Sequence, residues 1–282
     1  MITWIKTRAA QGHRTLAYPD QAQEMPSTFY GRPIISAGTC PEGCTDCIDS
    51  CPTFAIKTDP VVALDLGRCV FCAECVSACP QQMINLSNDF RMAGTSRESL
   101  VIRGDEAPMI QKLNDRMLQI FGRSMRFRHV SAGDCGGCKD ELNALSNIVF
   151  DLSRFGMNVV ASPRHADALL VSGPIPENMR VALEKAYLAL PEPRLVLAVG
   201  ACAISGGPFV DSPYCHNGVD SILPVDMYIP GCPPHPLTVL DALLRLLDRL
   251  PKAQWPKVLD PDGITATDGS DPKTSDKSST RE

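Results

Sequence analysis

From residue 126 to residue 250 the chain alternates short apolar runs of strand length with longer stretches whose apolar residues recur every three or four positions. The runs 127–131, 158–161, 168–172, 195–199 and 224–229 predict strands, and the stretches 139–155, 177–190 and 236–250 predict helices. Leu142, Leu145, Ile148, Val149, Leu152 and Phe155 mark one helical stripe that stops at Gly156. Leu240, Leu243, Leu244, Leu247 and Leu250 mark another that stops at Pro251. Both stripes are expected to pack on a sheet, and the alternation implies that the sheet is parallel and flanked by helices.

Upstream the pattern is different. Residues 37–89 are dense in cysteine, whereas 90–125 carry none and have mixed charge. Met109, Ile110, Leu113, Met117, Leu118 and Ile120 predict a helix over 107–121, and the whole of 90–125 reads as a linker between two folded units, 37–89 and 126–251. The segment 1–36 opens with Lys6, Arg8, His13 and Arg14, with no acid before Asp20, beside Ile2, Trp4 and Ile5. Such a segment either lies on an anionic membrane or a membrane-bound partner, or is a solvated terminus. Residues 260–282 are polar and are expected to form a disordered tail.

With 282 residues and 44% hydrophobic content, the chain can bury the core of two small domains or one large one. Its net charge of -5 argues against nucleic acid as a partner. No apolar run approaches the length of a membrane span, and no apolar leader with a small-residue cleavage site precedes residue 37. A reducing compartment is therefore expected.

Eight of the 13 cysteines form two near-copies of one motif, Cys40-x3-Cys44-x2-Cys47-x3-Cys51-Pro52 and Cys69-x2-Cys72-x2-Cys75-x3-Cys79-Pro80. This is the ligand pattern of a bacterial-type ferredoxin, in which three close thiolates take three corners of a 4Fe-4S cube and the fourth, before proline, serves the other cube. The crossing assigns Cys40, Cys44, Cys47 and Cys79 to one cluster and Cys69, Cys72, Cys75 and Cys51 to the other. The first motif has one residue more than usual, which Gly43 can absorb by reaching positive φ. A disulfide framework and a zinc site are the alternatives, and neither calls for both prolines at these positions.

The remaining cysteines fall where the predicted sheet would place a site. Cys135 and Cys138 follow the first strand, Cys202 the strand 195–199, and Cys232 the strand 224–229. Ligands of open α/β sheets bind beyond the carboxyl ends of the strands, so these four thiols make a third candidate 4Fe-4S site. Gly133, Gly136, Gly137, Gly200 and Gly231 would let the backbone close around it and aim amides at its sulfides. Cys215 is left over and reads as an ordinary buried cysteine.

The segments Gly-Asp-Cys-Gly-Gly-Cys-Lys-Asp-Glu (133–141), Ala-Ser-Pro-Arg-His-Ala-Asp (161–167), Gly-Ala-Cys-Ala-Ile-Ser-Gly-Gly (200–207) and Pro-Val-Asp-Met-Tyr-Ile-Pro-Gly-Cys-Pro-Pro (224–234) resemble the small subunit shared by membrane-bound NiFe hydrogenases and respiratory complex I. Residues 1–103, with Leu-Gly-Arg-Cys-Val-Phe-Cys at 66–72, separately resemble the two-cluster ferredoxin-like subunit of the same assemblies. The chain thus looks like two neighbouring subunits fused into one: a ferredoxin-like two-cluster α+β domain followed by an α/β, flavodoxin-like domain with a parallel sheet.

The resemblance implies that Cys135, Cys138, Cys202 and Cys232 hold the cluster nearest a catalytic partner. Complex I has its first two cysteines adjacent; the two glycines between Cys135 and Cys138 resemble the hydrogenase branch, of the cytoplasm-facing formate hydrogenlyase type. It further implies an electron-transfer subunit with three 4Fe-4S clusters, not catalytic alone and peripheral on the inner face of the cell membrane. Its expected partners are a NiFe or complex I 49 kDa-like large subunit, membrane-arm subunits, and a donor such as a formate dehydrogenase or ferredoxin. Glu141 is implied as a proton-path residue, against a role as a helix N-terminal acid. Arg164 and His165 either approach the cluster or are surface residues, and His129, His216 and His235 are expected to pack or cap. The alternatives are a complex-I-like module, similar to the corresponding small subunit of NADH-quinone oxidoreductases and passing electrons to quinone without nickel, or a non-catalytic redox-sensing or assembly protein.

Overall fold

The computed structural model describes residues 2–250 except 22, 37, 39, 42, 59, 60, 105–107, 109 and 123. The tail expected at 260–282 lies outside these residues, as does part of the helix predicted over 107–121. The basic N-terminal segment begins with helix α1 (Ile2–Gln11), whose described side chains are all exposed, Trp4 at 72%. The chain then joins the body of the protein. Thr15 Oγ1 donates to the Ile148 carbonyl at 2.9 Å, Leu16 N to that of Val149 at 2.9 Å, and buried Tyr18 packs edge-on against Phe90.

The cysteine-rich region is built from very short elements: β1 (Pro33–Ile35), α2 (Asp46–Asp49), β2 (Ile56–Lys57), β3 (Ala63–Asp65), α3 (Glu74–Ala78) and β4 (Ile84–Leu86). β1 and β4 pair antiparallel, with Ile34 opposite Asn85. β2 and β3 form a second antiparallel pair, to which β5 (Val101–Ile102) adds a third strand with Ile102 opposite Leu64. The stretch 90–125 therefore supplies a strand to this sheet. It also exchanges two backbone hydrogen bonds between Gly94 and Tyr228, and its Phe90, Ala93, Leu113 and Phe121 lie in the core of the downstream domain. Helix α4 (Asp115–Phe121) starts later than the apolar pattern predicts, because the Asn114 side chain accepts from Met117 N at 3.0 Å and caps it there.

Downstream follow β6 (Met125–Ser131), α5 (Gly137–Ala144), β7 (Met157–Val159), β8 (Ala168–Ser172), α6 (Glu177–Leu188), β9 (Leu195–Val199), α7 (Ala201–Ser205), β10 (Met227–Ile229) and α8 (Pro236–Leu246). The five strands form one parallel sheet in the order β10-β9-β8-β6-β7, which is the flavodoxin-like order with its reversal between β6 and β8. β8 and β9 are buried throughout, as central strands covered on both faces must be.

Alternation along the strands sorts the two cores. Ala168, Leu170, Leu195 and Leu197 point to the face covered by α8, whereas Leu169, Val171, Val196 and Ala198 share a core with Leu64, Leu66, Leu100 and Ile102 of the cysteine-rich domain. A leucine fully buried in this way contributes about 1.5–3 kcal/mol relative to exposure. The two domains are thus joined by a common apolar core.

Two predicted helices end early. The stripe over 139–155 breaks after Ala144, where the Asn147 side chain accepts from the amides of Val149 (2.8 Å) and Phe150 (3.0 Å) and competes with helical bonding. Leu142, Leu145 and Leu152 are buried, but Ile148 is 70% exposed and Val149 is exposed beside it, so these two do not pack on the sheet. Helix α8 stops at Leu246 instead of Leu250, and Asp248 turns the chain with φ +51°.

Candidate iron-sulfur sites

The cysteines gather into three quartets. Cys47, buried on α2, has its thiol raised by burial and then by its neighbours Cys79, Cys40 and Cys44. Gly43, between Cys40 and Cys44, has φ +77° and no atom within 4 Å of where a Cβ would sit, so the extra residue of the first motif is taken up in a left-handed turn. Met83 stands over this quartet: its amide donates to Cys79 Sγ at 3.4 Å, and its Sδ lies 3.6 Å from Cys40 Sγ.

The second quartet is Cys51, Cys69, Cys72 and Cys75. Burial pushes Cys69 up to about 12, with Cys75, Cys51 and Cys72 adding to it, and Cys75 to about 11 with Cys51 and Cys72 adding. Backbone amides are aimed at two of the sulfurs, Ala55 N to Cys51 Sγ at 3.2 Å and Phe71 N to Cys69 Sγ at 3.4 Å. Pro33, Pro52, Ile56, Leu64 and Leu86 line the cavity around these thiols and make it apolar. The last cysteine of each motif thus stands with the first three of the other.

The third quartet, Cys135, Cys138, Cys202 and Cys232, lies beyond the carboxyl ends of β6, β9 and β10. Burial pushes Cys138 up to about 12, with Cys202, Cys232, Asp134 and Cys135 adding, and Cys202 to about 11, with Cys232 and Cys135 adding. Gly200 has φ +87°, and a methyl placed on it would lie 2.6 Å from Cys138 Sγ. Only glycine lets the β9–α7 turn approach so closely. The Cys135 loop is pinned from below by Ser172, whose hydroxyl donates to Asp134 Oδ2 at 2.5 Å. That hydroxyl has one hydrogen, so the 2.8 Å contact to His129 Nε2 is a bond donated by the imidazole.

The donor chemistry fits 4Fe-4S cubes. Four neighbouring thiols can be thiolates together only with cations among them, because like charges at close range repel. A single zinc ion would draw four sulfurs to about 2.3 Å from itself. Among the described residues no three His, Cys, Asp or Glu gather tightly enough for one ion.

The remaining candidates are scattered. Glu141 is the fifth residue of α5, past the first turn that Asp140 occupies, because the helix starts at Gly137; it is half-buried, and its carboxyl is raised by burial and then by Asp140. Arg164 and His165 are exposed on a 3-10 turn before β8. His235 caps α8, its Nδ1 accepting from Leu237 N at 3.1 Å between the rings of Phe29 and Phe150, and His216 pairs with Glu177 at 2.7 Å. Cys215 is half-buried and bridges to Pro176. Sequence reasoning passed over Asp241, although a lone acid inside a leucine-rich helix is a signal for a buried partner. It also passed over Ser205 and Ser172, whose hydroxyls are bonded to residues far off in the chain.

The chain matches the family model described as NADH ubiquinone oxidoreductase, 20 Kd subunit, over residues 135–246, and that of the 4Fe-4S dicluster domain over residues 39–83. It is 38% identical over 147 residues to "Probable membrane-bound hydrogenase subunit mbhJ" of Pyrococcus furiosus, covering 52% of this chain and 88% of that one. It is 40% identical over 154 residues to formate hydrogenlyase subunit 7 of Escherichia coli, covering 54% of this chain and 60% of the relative. With an NADH-quinone oxidoreductase subunit of Clostridium beijerinckii the identity is 47% over 114 residues, 40% of this chain and 68% of the relative. Among the described residues no helix is long and apolar enough to cross a membrane.

Proposed function

The chain belongs to the family of the NADH ubiquinone oxidoreductase 20 kDa subunit, and from that premise we propose that it holds three 4Fe-4S clusters and relays electrons from a donor to the large subunit of a membrane-associated NiFe hydrogenase. Its relatives are subunits of hydrogenases and quinone oxidoreductases, so the chain is an electron-transfer subunit of an oxidoreductase complex and not an enzyme by itself. The observation that carries the fuller reading is the gathering of twelve thiols into three quartets, each drawn from separate segments of the chain.

In this reading Cys40, Cys44, Cys47 and Cys79 are the ligands of one cube, Cys51, Cys69, Cys72 and Cys75 of the second, and Cys135, Cys138, Cys202 and Cys232 of the third. A bound cube would supply one-electron chemistry at a potential tuned by its surroundings. The amides of Ala55, Phe71 and Met83 stabilise thiolate charge, and the apolar lining of the second quartet excludes water. Gly200 keeps the third quartet compact, and Glu141 is the residue we assign to hold a proton near the partner. The chain would sit peripherally on the inner face of the membrane beside membrane-arm subunits, taking electrons from a formate dehydrogenase or a ferredoxin. The Cys135-Gly-Gly-Cys138 spacing favours the hydrogenase partner, while the 47% identity to a quinone oxidoreductase relative favours a nickel-free partner that reduces quinone.

The test is the iron and nickel content of the native complex, purified without oxygen through a tag on this chain. About twelve irons in the chain and nickel in a co-purifying large subunit are expected. Full iron without nickel would replace the hydrogenase with the quinone reading, and about eight irons would overturn the three-cluster reading.

A further inference from the structure

Two motifs that the cluster ligands leave unused meet in the structure. The Ser205 hydroxyl, buried at the end of α7, has its shorter contact at 2.9 Å with the Gly67 carbonyl, 138 residues away, and donates its one hydrogen there in preference to the Ala201 carbonyl of its own helix at 3.2 Å. Gly67 lies two residues before Cys69, and Ser205 three residues after Cys202. The contact therefore joins a ligand loop of the second quartet to the helix that carries a ligand of the third.

Gly67 is held from its other side as well. Its amide donates to Asp65 Oδ1 at 2.9 Å, and the Arg97 guanidinium forks onto the same carboxylate at 2.6 and 2.7 Å. A methyl on Gly67 would lie 2.7 Å from Ile204 Cγ2 and 2.6 Å from an Arg97 nitrogen. The φ of Gly67 is not in the left-handed region, so glycine is needed here for closeness alone. Position 67 thus sets how near the Cys69 loop comes to α7, and Ser205 fixes the register of that approach.

We propose that Ser205 and Gly67 are positioning residues for electron passage between the two domains, holding the Cys69 and Cys202 sites at the separation that transfer requires. This rests on the three-cluster reading above. A 4Fe-4S group held at the Cys69 site and another at the Cys202 site would supply the one-electron chemistry, and Ser205 and Gly67 would set the approach of the two sites without bonding to either group.

The experiment uses the full chain in its native complex, purified without oxygen, as wild type, Ser205→Ala and Gly67→Ala. Iron is measured first, then the magnetic interaction between neighbouring reduced centres by electron paramagnetic resonance after dithionite, then turnover. Ser205→Ala is expected to keep its iron and the signal of each separate centre. It should weaken the interaction between centres and slow turnover severalfold, with Gly67→Ala acting in the same direction. An unchanged interaction and turnover in Ser205→Ala would overturn the proposal, as would loss of iron from that variant, since the hydroxyl would then serve cluster retention. Should Gly67→Ala lose iron, Ser205→Ala decides alone. A wild-type chain without a third centre would overturn both this proposal and the reading beneath it, and its iron content would show that before any variant is compared.

Discussion

The Tyr18 hydroxyl donates a 2.7 Å hydrogen bond to Asp241 Oδ1, tying the N-terminal segment to the buried centre of α8 across 223 residues of sequence. Asp241 is 1% exposed and has Arg245 Nε 3.0 Å from its other oxygen. Burial, then the nearby carboxylate, holds the Tyr18 phenol far above its ordinary range, while burial raises Asp241 against the pull of Arg245 and Tyr18.

Tyr18→Phe removes the donor and leaves a buried carboxylate oxygen without it. The expected cost is about 1–3 kcal/mol. Denaturant unfolding of the full chain measures this, with a lower midpoint and an unchanged slope as the expected result.

Asp89 is a buried carboxylate held between two arginines, Arg32 and Arg91. It is buried, which alone would raise its pKa, but hydrogen bonds from the Arg91 side chain at 2.7 and 2.9 Å, then the charges of Arg91 and Arg32, hold it below the usual carboxylate range. A lowered folded value means that this stability is present above the unfolded pKa of about 4 and is lost as pH falls through the folded value. Asp89→Asn should flatten that acid limb. At neutral pH it should cost about 3 kcal/mol by leaving Arg91 without its carboxylate, as read by thermal unfolding between pH 3 and 7.

Gly200→Ala places a methyl 2.6 Å from Cys138 Sγ at a residue with φ +87°. Loss of about four irons per chain is expected, with the dicluster signals retained, as measured by iron assay and paramagnetic resonance. A variant that keeps all its iron would mean that the β9–α7 turn can relax away from the third quartet.

Glu141→Gln tests the proton path. Burial and then Asp140 raise the carboxyl above its ordinary value, so the limb of the activity profile that it governs should lie above the normal carboxylate range. The glutamine variant should keep its iron, turn over more slowly and lose that limb. An unchanged profile would remove Glu141 from the proton path.

Much of the fold is legible in local pattern. The strands at 168–172 and 195–199 coincide with their apolar runs because a central strand buries every residue, and that leaves an unbroken apolar stretch in the chain. The helix predicted over 139–155 fails where Asn147 bonds the backbone itself, since an apolar spacing of three and four cannot register a competing side-chain bond. Ile148 and Val149 keep that spacing yet face solvent.

The sequence by itself determined the candidate chemistry, because thiol ligands are chemically distinctive and their spacing within a loop limits what they can hold. It also determined the strand succession, and with it the placing of Cys135, Cys202 and Cys232 along one sheet edge. Only the tertiary structure decided that the cysteine-rich domain shares a core with the sheet through Leu64, Leu66, Leu169 and Val171. The same holds for Tyr18 meeting Asp241 and for Ser205 meeting Gly67. Such pairings follow from how two finished surfaces fit, and a pattern of apolar and polar positions records that a residue must be covered without recording by what.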